Sequence, residues 1–255
     1  MKGFLTSLLQ GLRKPQPCIP EPLWQQTLAH SPVFRHLPVP KRERLKALSQ
    51  DFLQEKQFTG AAGLELTDPM LVHIAAQACL PILELGLAAY RDWVGVIVYP
   101  EEFVIPRQIM DESGVVHEYE DTASGEAWEG GPVILSWQDS QMEDERYNVI
   151  IHEFAHKLDM LNGQVDGIPA LHSGLKLNEW ETILQASYED FCERVAQDQD
   201  LALDPYGAEH PAEFFAVSSE TFFANPEGLR ALYPQWYELL SRYYRQTPLL
   251  RPTSP

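Results

Sequence analysis

The sequence predicts an α+β fold, in which helices are followed by a cluster of short strands and then by more helices. Three observations predict it. Apolar residues recur at helical spacing in residues 41–58 and 70–87, and again from residue 148 to the C-terminal region. Between these stretches, residues 94–137 hold short apolar runs broken by Gly, Pro and acidic turns. Strands and helices are grouped rather than alternating, which sets the chain apart from a doubly wound parallel sheet. With 255 residues, 44% apolar and 22% charged, the chain is long enough and apolar enough to bury a substantial core.

The elements follow in order. Residues 15–40 hold seven prolines and read as an irregular lead-in, so residues 1–40 are set apart from a single unit spanning 41–255. Residues 41–58 form a helix with Leu45, Leu48 and Phe52 on one face, broken by Gly60 and Gly63. Asp68 as N-cap and Pro69 in the first turn open a buried helix over 70–87, interrupted at Pro81. Strands are expected at 94–99 (VGVIVY), 103–105, 115–119 and 132–137 (PVILSW). From about residue 140 the pattern turns helical. The segment 144–162 carries Val149, Ile150, Phe154, Leu158 and Leu161 at helical spacing and is closed by Asn162-Gly163. Helices at 180–195, 212–223 and 234–245 then make up a helical part over 178–246. No internal repeat is visible.

Charge excludes some functions. The net charge is −18, divided as +5 over residues 1–60 and −23 over residues 61–255. Residues 101–145 hold 13 acids and one base, Arg107. So acidic a body repels phosphate, which argues against direct nucleic-acid binding. No apolar run reaches the roughly 18–20 residues that span a bilayer, and residues 1–14 lack the pattern of a signal peptide. Cys18, Cys79 and Cys192 are odd in number and widely spaced, as expected of thiols in a reducing cytoplasm.

The chemistry is concentrated in His152-Glu153-Phe154-Ala155-His156. On a helix, residues four apart project from one face, so both imidazoles can reach one Zn²⁺. Glu153 lies beside that metal rather than on it, placed to take a proton from a metal-bound water. Zinc needs a third protein ligand, and no third His follows at the H-E-x-x-H-x-x-G-x-x-H spacing. The apolar helix 212–223 carries two acids, Glu213 and Glu220, and an acid on such a helix should have a partner. Spacing alone does not choose between them. Asp159, three residues beyond His156, is either a carboxylate that orients a ligand histidine or a helix C-terminal acid that is solvated, or paired with Lys157 or an Arg elsewhere. His172 and His210 read as loop histidines.

The runs GPVILSW (131–137), NVIIHEFAHKLDMLNG (148–163) and DPYGAEHPAEFFAVSSETFF (204–223) closely resemble the Mlc titration factor A family of bacterial gluzincin-type zinc peptidases. LPILELGL (80–87) and VIVYPEEFV (96–104) extend the resemblance over most of the chain after about residue 40. It implies a zincin-like metallopeptidase with a small mixed sheet, an active-site helix and a helical C-terminal part. It also implies one Zn²⁺ per chain on His152, His156 and Glu213, with Glu153 as general base. Tyr206 then matches a tyrosine that stabilises the tetrahedral intermediate. The implied function is aminopeptidase-like cleavage of peptide substrates, together with binding of the Mlc repressor that regulates the glucose phosphotransferase system. In an alternative reading, the chain mainly sequesters the repressor and keeps vestigial peptidase activity. Strand 132–137 is the expected edge for an extended substrate. If the acidic stretch 101–145 borders the cleft, it favours a free α-ammonium group.

Overall fold

The computed structural model describes residues 18–110 and 116–249. Residues 1–17, with the segment 1–14 weighed above, and Val115 at the start of one expected strand lie outside the described residues.

The lead-in is more ordered than its prolines suggest. Glu21–His30 forms helix α1. Pro20 and Pro22 stand at its N-cap and first turn, where a missing N–H removes no helical hydrogen bond. A tight 3₁₀ turn at Pro32–Phe34 follows. Ile19, Trp24, Leu28, Val33, Phe34 and Leu37 join the same buried core as the C-terminal helices.

Helix α2 (Val39–Glu55) buries Leu45, Ser49, Phe52 and Leu53. It ends before Phe58, because the chain turns at Lys56 into a strand the sequence reading missed, β1 (Gln57–Gly60). Lys56 is buried, and its Nζ donates to the carbonyls of Tyr90 and Trp93. Helix α3 (Asp68–Cys79) is buried on almost every side from Met70 onward and stops ahead of Pro81. Proline lacks the N–H that a continuing helix would need.

Five more strands follow: β2 (Gly95–Tyr99), β3 (Phe103–Met110), β4 (Val116–Ala123), β5 (Gly125–Ala127) and β6 (Val133–Ser136). β3 and β4 form an antiparallel ribbon. The other sheet has the order β1-β2-β6-β5. β1, β2 and β6 run parallel, and β5 is antiparallel to β6, with Gly125 opposite Leu135. This small mixed sheet in a mostly helical chain agrees with the expected α+β class. One expectation needs correction. The strand at 132–137 is not an edge, because β6 lies between β2 and β5 with all four residues buried, and β5 is the edge beside it. Its apolar run reflects burial on both faces.

The remaining helices are α4 (Val149–Asp159), α5 (Leu177–Ala196), α6 (Pro211–Ala224), α7 (Pro226–Leu232) and α8 (Pro234–Tyr244). α1, α7 and β5 are additions to the elements read from sequence. Two aromatic clusters hold α4 and α6. Phe154 of α4 packs against Phe52, Tyr90 and Trp93, with ring centroids 5.4–5.7 Å away. Phe214 of α6 stacks on Trp236 at 5.7 Å and meets Phe191 at 5.4 Å. Each such ring, fully buried, contributes about 1.5–3 kcal/mol. Among the described residues, no helix is long and apolar enough to cross a membrane.

Candidate metal centre

Helix α4 begins with Asn148, whose Oδ1 accepts from the Ile151 amide at 2.9 Å. That cap satisfies one of the free N–H groups of the first turn. Val149, Ile150, Ile151, Phe154, Ala155 and Leu158 are buried. Their burial fixes the rotation of the helix and turns His152 and His156 toward α6. The two imidazole rings lie 4.8 Å apart, centroid to centroid.

Helix α6 supplies the facing acids. His210, read as an ordinary loop residue, is its N-cap, and its Nδ1 accepts from the Ala212 amide at 3.2 Å. Pro211 opens the helix, and Glu213 falls in the first turn. Glu213 Oε2 lies 3.0 Å from His152 Nε2 and 3.2 Å from His156 Nε2, and the two Nε2 atoms are 3.1 Å apart. Among the described residues, these three side chains form the one His/Cys/Asp/Glu group disposed to hold a metal ion.

The donor chemistry fits zinc. His152 Nδ1 lies 2.7 Å from Glu220 Oε1, and that carboxylate also accepts from the Asn148 amide through Oε2. With Nδ1–H committed to Glu220, His152 Nε2 presents a lone pair to the same point as Glu213 Oε2. A divalent cation relieves that convergence of acceptors. Tetrahedral Zn²⁺ with ligands at 2.0–2.1 Å has edges of roughly 3.3 Å, close to the 3.0–3.2 Å triangle observed. Electrostatics agree. Burial opposes a charge on His152, yet hydrogen bonds to Glu213 and Glu220 outweigh it and raise its proton affinity well above the usual value. Burial likewise opposes ionisation of Glu213, but hydrogen bonds from His152 and His156 hold it well below the ordinary carboxylate range. The field favours positive charge at this point.

Glu153 is 5% exposed, and burial raises its pKa. It lines a cleft of about 360 Å³ with His152, Gly125, Tyr147, Tyr206 and Glu209. Gly125 of the edge strand lies directly against it. A β-carbon built there would meet Glu153 Oε1 at 2.5 Å and Val149 Cγ2 at 2.7 Å, so no larger residue fits without displacing the carboxylate. Tyr206 sits in a short 3₁₀ turn capped by Asp204, with its ring 6.0 Å from that of His152. The structure therefore brings His152, Glu153, His156, Tyr206 and Glu213 to one place. Among the described residues, the cleft's acids come from Glu153, Asp204, Glu209 and Glu220, and the 101–145 stretch contributes only Thr122 to Gly125. The acids at 111, 112, 118, 120 and 121 of that stretch lie outside the described side chains.

Asp159 is neither solvated nor paired with Lys157, and among the described residues it makes no hydrogen bond to His156. It is fully buried, and its Oδ2 accepts from the Gly167 amide at 2.9 Å, while Oδ1 has no partner. Gly167 has φ +80°, and a β-carbon there would lie 2.5 Å from the Pro211 carbonyl. Asp159 thus holds a close approach between the end of α4 and the start of α6. Lys157 turns away from it and donates to the carbonyls of Trp128 and Gly131, fastening the β5–β6 turn to α4.

A buried polar chain behind α4 was not read from the sequence. Asn148 Nδ2 donates to Gln77 Oε1 at 2.6 Å, and Gln77 Nε2 donates to Glu143 Oε1 at 2.7 Å. Ser31 donates to the other Glu143 oxygen. The only sequence signal was the position of Asn148 just ahead of the helical run. Gln77 and Glu143 carried none.

A family model described as glucose-regulated metallo-peptidase M90 matches residues 10–245. The chain belongs to that family. The match begins well before residue 40, so the family likeness extends into the lead-in, which the motifs alone did not reach. Among relatives of this M90 metallopeptidase is an uncharacterised protein of Synechocystis, 40% identical over 236 residues, covering 90% of this chain and 86% of that one. Mlc titration factor A of Escherichia fergusonii is 37% identical over 235 residues (90% and 88%). Mlc titration factor A of Yersinia pestis is 36% identical over 233 residues (89% and 86%).

Proposed function

We propose that this metallopeptidase is a zinc-dependent, aminopeptidase-like enzyme with a zincin-like catalytic unit. His152, His156 and Glu213 hold the metal. The observation that carries this reading is the convergence of His152 Nε2, His156 Nε2 and Glu213 Oε2 within 3.0–3.2 Å beside a buried Glu153. The continuous core from Ile19 to Tyr244 supports one catalytic unit that also takes in the ordered part of the lead-in.

A bound Zn²⁺ supplies Lewis acidity, which lowers the pKa of water and polarises a carbonyl. The chain's own groups do the rest. Glu153 accepts a proton from the attacking water on its carboxylate and returns it to the leaving amine, and its burial raises its proton affinity, the direction a general base needs. Tyr206 directs its phenol toward the developing oxyanion. Glu220 keeps the Nδ1 proton of His152 in place, so that Nε2 faces the metal. The free side of β5 pairs with an extended peptide, and Gly125 leaves room for Glu153 beneath it. Four acids around a cleft of about 360 Å³ favour a substrate bearing a free α-ammonium group.

Two relatives named Mlc titration factor A, with the resemblance carried by the motifs, support a second role, binding of the Mlc repressor of the glucose phosphotransferase system. The two roles separate experimentally. Elemental analysis should find one zinc per chain, and peptides with a free amino terminus should be cleaved while acetylated ones are not. Glu153→Gln should abolish hydrolysis and retain both zinc and any repressor binding. Zinc well below unit stoichiometry would overturn the metal assignment, and equal cleavage of free and acetylated peptides would overturn the aminopeptidase assignment.

A further inference from the structure

Away from the metal centre, an open cavity of about 600 Å³ lies between the turn after Pro32–Phe34, the start of α2 and the chain that follows α8. Its volume is in the range of small-molecule sites. Its charge is the reverse of the protein's. Arg35, Lys41 and Arg245 line it, and no acidic residue does among those described. In a chain of net charge −18, that is a local exception.

The three cations are differently engaged. Lys41 Nζ lies 3.3 Å from Glu84 Oε1, at the margin of the site. Arg35 and Arg245 are exposed, and neither makes an ion pair among the described residues. α2 starts at the cavity, but Pro38 and Pro40 remove amides from that end, so side chains rather than the helix terminus supply the charge. Two further lining residues hold polar atoms with no partner. These are His36 Nε2 and Oε1 of Gln246, a side chain only 3% exposed and fixed by donation to the Leu80 carbonyl at 2.8 Å. Burial, the larger cause, together with the charges of Lys41 and Arg42, pushes His36 down to about 4.

We propose that this cavity binds a small phosphorylated ligand, its phosphoryl group held by Arg35 and Arg245 with Lys41 at the margin. Three cations around one opening match a dianion better than a single carboxylate. Guanidinium groups present paired N–H donors at the spacing of phosphoryl oxygens. The site is separate from the peptidase cleft, so its occupancy does not depend on the metal.

Titration calorimetry of the intact chain with inorganic phosphate tests this, repeated after the metal has been removed with a chelator. The expected result is saturable binding of one phosphate, unchanged by metal removal and weakened by added salt. Arg35→Gln/Arg245→Gln should weaken it tenfold or more while far-UV circular dichroism and peptide hydrolysis stay as in the parent. Both arginines are exposed, so folding should survive; Arg35→Glu alone gives an independent variant with the same expected loss. Three results would each overturn the proposal: no saturable binding, binding lost with the metal, or binding unaffected by the arginine variants. Succinate binding as tightly as phosphate would overturn the phosphoryl assignment.

Discussion

Replacing Gly125 with alanine adds one methyl group at the closest contact between the edge strand and the proposed general base. The new β-carbon would stand 2.5 Å from Glu153 Oε1 and 2.7 Å from both Glu153 Cγ and Val149 Cγ2. To reach ordinary contact at 3.4 Å, the carboxylate must retreat by about 0.9 Å, or the strand must lift by a similar distance. Val149 is anchored in the core at 4% exposure, so helix α4 cannot yield easily, and the displacement falls mostly on the Glu153 side chain. Overpacking of this kind costs about 1–3 kcal/mol in stability. At roughly 2–4 °C per kcal/mol for a chain of this size, the melting temperature falls by several degrees. The catalytic loss should be larger than the stability loss suggests, because a misplacement of about 1 Å at a reacting group costs on the order of 100-fold in rate. The assay is kcat/KM on a free-amino peptide, with zinc content and thermal melting measured on the same preparations. The expected variant is folded, holds its zinc and is about 100-fold slower. A kcat/KM within twofold of the parent would refute the reasoning, as would a loss fully accounted for by missing zinc or unfolding.

Glu220→Gln keeps a hydrogen-bonding group next to His152 Nδ1 and the Asn148 amide but removes the charge that both now meet. Zinc affinity, measured by competition with a chelator, should fall about 10–100-fold, and an unchanged affinity would show that Glu220 does not orient His152. Asp159 is pushed up to about 6 by burial, which outweighs the Gly167 amide that opposes the shift. Its folded pKa is therefore above the unfolded value of 3.8. Its contribution to stability is fully present below about pH 4 and is lost as pH rises through about 6. Two pKa units correspond to roughly 3 kcal/mol. In the metal-free protein, Asp159→Asn should erase this part of the slope between about pH 4 and 6 in urea unfolding, and a slope as steep as the parent's would count against it.

The α+β class was legible because helical and strand periodicities sit in separate blocks of the chain. Several elements were not. β1 follows α2 after only Lys56, and its extended conformation depends on pairing with β2, which sequence periodicity does not report. α1 was masked by prolines that stand where a helix tolerates them. β6 was taken for an edge strand because a short apolar run reads the same whether one face or both are covered, and only the pairing of β5 distinguishes the cases.

By itself the sequence determined the local part of the proposed centre: a helix carrying two imidazoles on one face with a carboxylate beside the first. Helical pitch fixes that relation within five residues, whatever the rest of the chain does. Sequence spacing left Glu213 and Glu220 as equal candidates, and family resemblance pointed to Glu213. Only the tertiary structure shows where each of them sits. The packing of α6 against α4 brings Glu213 to both Nε2 atoms and Glu220 to Nδ1 of His152. The same packing set Asp159 against Gly167, gave Asn148 its partner in Gln77 and left room at Gly125 for Glu153 alone. These relations join residues far apart in the chain, and close packing of the shared core decides them rather than the preference of any one segment.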